Sequence, residues 1–579
     1  MKLIEALEIL KQAPTEGAIP FEVYMVSSFT PLHLQTFLAA ELRKRNPNRS
    51  VSLSSGLYGD IRGNLTRMAQ SKSDGAAIVL EWSDFDPRLG LRSLGSWDPE
   101  VTEDLLNNAR QFATFLCAVL RSMPVKFPVS LSSPTLPLPP VTHYPSWHSN
   151  KFDLSLKQCV ASMLVSISEL QNVHIISSDR LDISSPFNRR LDPKSEYASG
   201  FPYQIPHASE MAHLHANQLL PLNPKKGLIT DLDDTVWLGI LGELGVDGIS
   251  WDLEHGAQGH GSYQRFLQSL SRTGVLLAVA SKNNPQLVDE AFRRTDLLLS
   301  RNHLYPMEAH WGPKSESVAR ILKTWNVAAD SIVFIDDSPM ELAEVKAVHP
   351  QIECLLFPKS DPAAILDLQY RLRDLFGKRS ITQEDTIRQE SIRVAEEFRA
   401  ESANGNVISD VFLRQAEAEL TFHVQKHPLD PRAIELVNKT NQFNLNGKRY
   451  TDASWLTYIK QPNTLLVMAS YRDKYGPLGK IAVIAGRKER RTLHVDTWVM
   501  SCRAFSRRIE HHCIEELFER HEIEEIVFYF EWTPQNGPIQ EFLAELLGGS
   551  PVAQGRLTRN CFAERRMKTF HKVLETANG

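Results

Sequence analysis

Apolar runs and amphipathic stretches alternate through the middle third of the chain. The apolar runs predict β-strands, which cover residues 227–231, 275–281 and 331–339. The stretches with apolar residues at helical spacing predict helices, which cover residues 262–274, 285–294, 314–327 and 339–348. Fully apolar strands that alternate with amphipathic helices are typical of an α/β domain, in which helices cover both faces of a parallel sheet. Ligands of such sheets bind at the carboxyl ends of the strands.

Two breaks in this pattern divide the chain into three predicted domains. The segment PLNPKKG at 221–227 precedes the first apolar run, and the charged segment FGKRSITQED at 376–385 follows the last α/β elements. The Pro- and Ser-rich stretch at 132–150 predicts a loop inside the first domain. Because the chain is too long for a single hydrophobic core, we expect domains over residues 1–222, 223–376 and 377–579.

The composition is that of a soluble globular protein, and it excludes several classes of function. A net charge of −5 gives no overall basic character, so we expect no nucleic-acid partner. The six cysteines show neither a CxxC pair nor a zinc-binding spacing, which indicates a reduced, cytoplasmic protein. Residues 1–17 are amphipathic and lack a long apolar run, so they predict neither a signal peptide nor a membrane span.

The polar residues of the middle domain cluster where its predicted strands end. Carboxylates end two strands, a hydroxyl ends another, and a lysine opens a helix; these residues are Asp231, Asp233, Asp336, Asp337, Ser281 and Lys314. Carboxylates in one crevice repel one another unless a cation neutralises them, and oxygen ligands favour Mg²⁺ over zinc. A hydroxyl and an ammonium beside that cation suit a phosphoryl group. Each acidic pair alone is compatible with a solvated loop or a helix cap, so the prediction depends on all four elements occurring in this order.

These residues resemble the four motifs of the haloacid-dehalogenase superfamily, and the similarity is closer still to its FkbH-like branch. The matching segments are DLDDTVWLGILGELG (231–245), LLAVASKNN (276–284), HWGPKSES (310–317) and VFIDDSPME (333–341). The tryptophan and glycine after the first motif and the SKNN of the second are features of that branch. The resemblance implies a Rossmann-like haloacid-dehalogenase core with a parallel sheet for residues 223–376.

The same resemblance implies a role for each motif residue. Asp231 would be the nucleophile that forms an aspartyl-phosphate, and Asp233 would be the general acid and base. Ser281 and Lys314 would hold the phosphoryl oxygens. Asp336 would bind Mg²⁺ together with Asp231 and the backbone carbonyl of Asp233. Weaker candidates are Asp337 as a metal ligand and Lys282, Asn283 and Asn284 as substrate contacts.

The last domain resembles an N-acetyltransferase-like α+β fold. Residues 473–484 predict a glycine-turned hairpin, residues 493–517 predict a strand, a loop and a helix, and both resemble segments of the FkbH-like family, as do residues 432–450. In that fold, the N-terminus of a helix holds the pyrophosphate of coenzyme A. Both glycines of the usual loop are replaced here, and their side chains hinder the close approach of a pyrophosphate to the backbone. We therefore expect the loop arginines to contact the phosphopantetheine or the acidic surface of an acyl carrier protein, with a solvated basic turn as the alternative. These arginines are Arg503, Arg507 and Arg508.

The FkbH-like resemblance implies a glyceryl transferase and phosphatase. Enzymes of this branch are thought to take a glyceryl unit from 1,3-bisphosphoglycerate, hold it as a cysteine thioester, release phosphate and load an acyl carrier protein for polyketide-type extender-unit biosynthesis. Cys502 is the thioester candidate, because it ends a predicted strand beside arginines that lower a thiol pKa; a core cysteine is the alternative. The second candidate function is a haloacid-dehalogenase-type phosphatase of another small phosphorylated metabolite, with appended binding domains. The intact pair Asp231 and Asp233 argues against a scaffold that has lost its chemistry.

The first domain loosely resembles an SGNH-hydrolase fold. The residues that carry this resemblance are Ser27 and Ser28 after the first predicted strand, Gly59 in an early loop, Asp84 after a central strand and His207 before the last helix. The usual asparagine of the third block is absent from its expected place, and Gln204 stands where an aspartate should precede His207 by three residues. We therefore predict a non-catalytic docking domain.

Overall fold

The computed structural model describes most of the chain, which separates into two compact units. The described residues are 1–14, 17–93, 99–139, 145, 147–379, 381–382, 385, 387–388, 390, 392–393, 410–424, 426, 430–474, 476–501, 504–505 and 507–575. The units comprise Met1–Asn223 and Pro224–Gly579. The further division after residue 376 stays a prediction. No described helix is long and apolar enough to cross a membrane.

The first unit is built on a five-stranded parallel sheet. Its strands lie in the order β2-β1-β3-β4-β5 and are β1 Ile19–Val26, β2 Arg49–Ser55, β3 Gly75–Val79, β4 Val129–Ser132 and β5 Val173–Ile175. Alternate residues of β1 enter two different hydrophobic clusters, one on each face of the sheet. The helices are Leu3–Lys11, Leu32–Arg45, Ile61–Gln70, Trp82–Phe85, Thr102–Ser122, Lys151–Ser168, Ser178–Ser184, Pro193–Ser199 and Ile205–Leu219.

The first part of the second unit is the predicted parallel sheet, and this confirms the α/β fold class. The strands lie in the order β10-β9-β6-β7-β8 and are β6 Gly227–Thr230, β7 Leu276–Ser281, β8 Met307–Ala309, β9 Ile332–Asp336 and β10 Glu353–Leu356. Its helices are Leu241–Leu244, Gln258–Arg272, Pro285–Ala291, Lys314–Trp325, Pro339–Val348 and Pro362–Phe376. The edge strands β8 and β10 were not predicted, because segments of three or four residues are too short to show a clear periodicity.

One helix of this sheet begins earlier than predicted. The expected start was residue 262, but the helix begins at Gln258 and includes two glycines in its first turn. A Cβ atom at Gly261 would lie 2.3 Å from the backbone oxygen of Trp251. The glycine is therefore a packing requirement, although glycine in a sequence predicts a break in the helix.

The remainder of the second unit contains a mixed sheet. The strands lie in the order β17-β16-β15-β14-β13-β11-β18, with β12 paired to β15, and are β11 Glu419–His423, β12 Phe443–Asn444, β13 Thr464–Asp473, β14 Gly476–Glu489, β15 Thr492–Met500, β16 Glu525–Tyr529, β17 Gln554–Thr558 and β18 Lys572–Glu575. The hairpin predicted over residues 473–484 is longer in the structure, where the antiparallel pair β13 and β14 covers Thr464–Asp473 and Gly476–Glu489. The predicted strand and helix are β15 and Ile509–Arg520. The other helices described are Asp410–Gln415, Pro431–Lys439, Asp452–Ile459, Gly537–Leu547 and Arg559–Arg565.

Candidate active site

Four predicted site residues meet at the carboxyl edge of the parallel sheet. Asp231 follows β6 directly, Ser281 ends β7, and Asp336 ends β9. Because β6 lies between β9 and β7, these three side chains come together where a parallel sheet places its ligands. Lys314 is the first residue of helix Lys314–Trp325 and enters the same crevice.

A buried ammonium lies between two buried carboxylates. Lys314 Nζ is 3.0 Å from Asp231 Oδ1 and 2.6 Å from Asp336 Oδ2. Burial raises the pKa of Asp336 to about 7, and the nearby charge of Asp231 adds to the increase. Burial also raises the pKa of Asp231, and Lys314 and the Ser281 hydroxyl offset part of that increase. Burial alone would lower the pKa of Lys314, but the two carboxylates raise it, so this lysine stays charged.

The crevice has more acceptor oxygens than the protein's own donors satisfy. Asp231, Asp336 and Asp337 each present a carboxylate oxygen, and these oxygens lie within 4.8 Å of one another. Within the described part of the chain, the buried Asp231 Oδ1 accepts no hydrogen bond of regular geometry, although it forms the ion pair with Lys314. A cluster of carboxylates with an unfilled acceptor fits a hard divalent cation. The predicted use of the Asp233 backbone carbonyl as a ligand stays a prediction.

Three donors fix the carboxylate of Asp233. Its Oδ1 accepts hydrogen bonds from Trp237 Nε1 at 2.9 Å and from the Leu241 backbone at 3.2 Å. Its Oδ2 accepts one from Asn283 Nδ2 at 2.9 Å. Burial raises the pKa of Asp233 overall, although these hydrogen bonds oppose the shift. A carboxyl group with a raised pKa suits general acid and base chemistry.

The residues after β7 do not all face a substrate. Asn283 is buried and contacts Asp233, and Asn284 caps helix Pro285–Ala291 by accepting from two backbone N–H groups. Lys282 is half-exposed and forms an ion pair with Glu341 at 2.7 Å. Of the three weaker substrate candidates, Lys282 and Asn284 are therefore exposed, and the side-chain oxygen of Asn284 is engaged in the helix cap.

Sequence reasoning missed one lysine of the site. Lys359 Nζ lies 2.7 Å from Asp234 Oδ2 and 2.8 Å from Asp337 Oδ2, so it holds the candidate metal ligand Asp337 in place. It follows β10 at the same edge of the sheet. A prediction of β10 as a strand would have directed attention to Lys359, since residues that follow parallel strands share that edge.

The structure corrects the prediction for two arginines of the last domain. Arg507 is 1% exposed, lies 3.6 Å from Asp473 and packs over the ring of Tyr471, so a carrier protein cannot contact it in this conformation. The side chain of Arg508 is mostly buried, forms an ion pair with Asp410 at 2.9 Å and donates to the Lys568 carbonyl. Both side chains therefore hold the fold together. Cys502 and Arg503 lie outside the described residues.

Arg507→Ala is expected to destabilise the second unit strongly. The substitution removes the ion-pair partner of the buried Asp473, and breaking a buried ion pair in this way costs about 3–5 kcal/mol of unfolding free energy. Arg487→Ala is the matched control, because that half-exposed arginine pairs with Asp496 at 3.4 Å and should cost at most about 1 kcal/mol. Urea unfolding of both variants measures the difference. Equal, small losses would show that Arg507 has no structural role.

The first unit does not assemble a hydrolase triad from the predicted residues. The Ser28 carbonyl accepts a hydrogen bond from the Gly59 backbone at 2.7 Å, and the Ser28 hydroxyl lies beside Asp84, whose pKa is raised to about 6 by burial. His207 is buried, and its two ring nitrogens are hydrogen-bonded elsewhere, to Thr135 and to Ser185. Burial lowers the pKa of His207 to about 3. His207 is therefore not placed to act as the base for Ser28. The docking role of this domain stays a prediction.

Comparisons with known proteins add support for the fold. No family model matches the chain, and no curated protein matches it. The N-terminal part of protein BF1531 from Bacteroides fragilis, which contains a phosphatase domain and was crystallised with Mg, is 20% identical with a TM-score of 0.54; the match covers 66% of this chain and 100% of that one. This likeness shows the fold. Two weaker matches have TM-scores of 0.23: the salicylyl-acyltransferase SsfX3 of a tetracycline biosynthetic pathway (16% identity, 36% and 57% of the two chains) and a GDSL-like lipase of Parabacteroides merdae (11% identity, 35% and 95%).

Proposed function

We propose that this protein is a Mg²⁺-dependent phosphatase of the haloacid-dehalogenase type that works through an aspartyl-phosphate at Asp231. The observation that carries the proposal is the Lys314 ammonium between the buried carboxylates Asp231 and Asp336. The ammonium favours the ionised form of a nucleophilic carboxylate and places a positive charge where a phosphoryl group arrives. The Mg²⁺ in the crystals of the Bacteroides fragilis protein supports the choice of metal.

The chain's own residues then account for both half-reactions. Asp231 attacks phosphorus, and Lys314 neutralises charge on the phosphoryl oxygens. Asp233 protonates the leaving oxygen, and it later takes a proton from the water that hydrolyses the aspartyl-phosphate. Mg²⁺, held by Asp231, Asp336 and Asp337, would supply further neutralisation of the phosphoryl oxygens.

The finer proposal is glyceryl transfer of the FkbH-like type. The substrate would be 1,3-bisphosphoglycerate, and the product would be a glyceryl-loaded acyl carrier protein that serves polyketide-type extender-unit biosynthesis. The FkbH-like segments around Asp231, Ser281 and Lys314 support this reading. Cys502 is the proposed carrier of the thioester.

One observation favours the plainer alternative, a phosphatase of another phosphorylated metabolite with appended binding domains. Burial raises the pKa of Cys159, Cys354 and Cys513, whereas a thioester-forming cysteine needs a lowered thiol pKa. Among the described residues, none of these three cysteines suits the covalent step. The transferase function therefore depends on a cysteine other than these three, and Cys502 is the candidate that the sequence offers.

Intact mass spectrometry separates the two functions. The protein is incubated with Mg²⁺, 1,3-bisphosphoglycerate and candidate carrier proteins, and free phosphate is measured in parallel. A carrier protein that gains the mass of a glyceryl unit, with loading lost in Cys502→Ser, supports the transferase. Phosphate release without acylation supports the plain phosphatase. Absence of both reactions, with other phosphate esters also unchanged, contradicts both functions.

A further inference from the structure

We infer that Asn283 is a positioning residue that aims Asp233 at the water that hydrolyses the aspartyl-phosphate. This inference rests on the proposed phosphatase function and adds a residue to it. The sequence places Asn283 among candidates for substrate contact, but its side chain is only 1% exposed. Because its amide is buried and contacts the carboxyl group of Asp233, Asn283 acts on the reaction through Asp233. It does not bind the substrate directly.

Asn283 is the link between two separate loops of the site. The other two donors to Asp233 come from its own segment, since Trp237 and Leu241 follow it closely in the chain. Asn283 instead follows β7, fifty residues along the chain. The amide therefore fixes the loop after β6 against the loop after β7. The strand β7 itself ends in Ser281, the phosphate-binding candidate.

The hydrogen bonds distinguish the two oxygens of Asp233. Each carboxylate oxygen has two lone-pair positions. Oδ1 receives two donors, from Trp237 and Leu241, and both of its positions are used. Within the described residues Oδ2 receives one donor, from Asn283. Oδ2 therefore keeps one position open for a water proton, and Asn283 sets the direction in which that position points.

The two half-reactions depend on Asp233 to different extents. In the first, an Asp231 oxygen bonds to phosphorus, the bond to the leaving oxygen breaks, and that oxygen departs with the electron pair. A weakly basic leaving group such as p-nitrophenolate needs no proton in this step. In the second, water bonds to phosphorus, its proton passes to Asp233, and the bond from Asp231 to phosphorus breaks to release phosphate. Loss of Asn283 should therefore slow the second step far more than the first.

Burst kinetics with p-nitrophenyl phosphate and Mg²⁺ test this. Asn283→Leu keeps the branching of the side chain at Cγ and removes the donor, and the smaller Asn283→Ala is the second variant if the first does not fold. We expect a burst of about one p-nitrophenolate per enzyme, followed by turnover slowed about 10²-fold, and a protein mass increased by one phosphoryl group. Wild type should show no burst.

Asn284→Ala is the matched control, because it disturbs the same loop by removing a helix cap without contacting Asp233. It should show no burst and no phosphoryl adduct, and thermal unfolding of all variants checks their folding. Folded Asn283 variants that turn over normally, or that are slowed without a burst or adduct, would overturn the inference for Asn283 alone. A wild-type protein that releases no p-nitrophenolate with Mg²⁺ would instead contradict the proposed phosphatase function.

Discussion

Asp231→Asn is expected to reduce phosphate release by about 10³-fold or more, which corresponds to several kcal/mol of barrier. The amide cannot form the aspartyl-phosphate. The two carboxylates that come next in the chain do not replace it as nucleophile, because Asp233 is held by three hydrogen bonds and Asp234 is paired with Lys359. The fold should persist, because asparagine has nearly the same volume as aspartate. The substitution also removes a carboxylate whose charged form is disfavoured by burial, which raises the pKa of Asp231.

Asp330→Asn is the control for this substitution. Asp330 is exposed and lies in the turn before β9, at the edge of the sheet opposite the site. It should release phosphate at the wild-type rate. Circular dichroism and thermal unfolding should show that both variants are folded. Turnover of Asp231→Asn within tenfold of wild type would rule out Asp231 as the nucleophile.

Removal of divalent metal is expected to stop phosphate release, and Mg²⁺ should restore it. Asp231, Asp336 and Asp337 bring three carboxylates together. Lys314 pairs with the first two, and Lys359 is shared between Asp337 and Asp234, so the two lysines do not neutralise all of these carboxylates. A divalent cation neutralises the remaining charge and the incoming phosphoryl oxygens. Phosphate release is measured after treatment with EDTA and again after addition of excess Mg²⁺. Full activity in metal-free buffer would refute this, and so would a preference for zinc, because oxygen ligands favour the harder cation.

Thermal unfolding provides a second measurement that does not depend on turnover. A ligand that binds only the folded state stabilises it by about 2.7 kcal/mol at a hundred times its Kd. Mg²⁺ should therefore raise the unfolding temperature of the wild-type protein. It should not do so for Asp336→Asn, which removes a carboxylate that is fully buried at the end of β9. An equal rise in both proteins would place the Mg²⁺ elsewhere.

The sequence alone determined the chemical core of the site. Fully apolar runs followed by Asp231, Ser281 and Asp336 predict buried parallel strands with polar ends, and parallel strands place those ends at one edge. Helical spacing after Lys314 predicts the helix that brings in the ammonium. These inferences held for the positions of the residues because they depend only on local periodicity and on the geometry of parallel sheets. Their catalytic roles stay predictions.

The tertiary structure decided what surrounds that core. The contact of Asn283 with Asp233 and the bridge from Lys359 to Asp337 join residues from different loops, and local periodicity carries no information about such pairs. A charged residue in a sequence predicts an exposed position. Arg507 is nevertheless buried, because it pairs with Asp473 and packs over the ring of Tyr471. His207 follows the expected order along the chain, but packing directs both ring nitrogens to Thr135 and Ser185. Order along the chain fixes which elements form, whereas the partner of each polar side chain depends on how those elements pack.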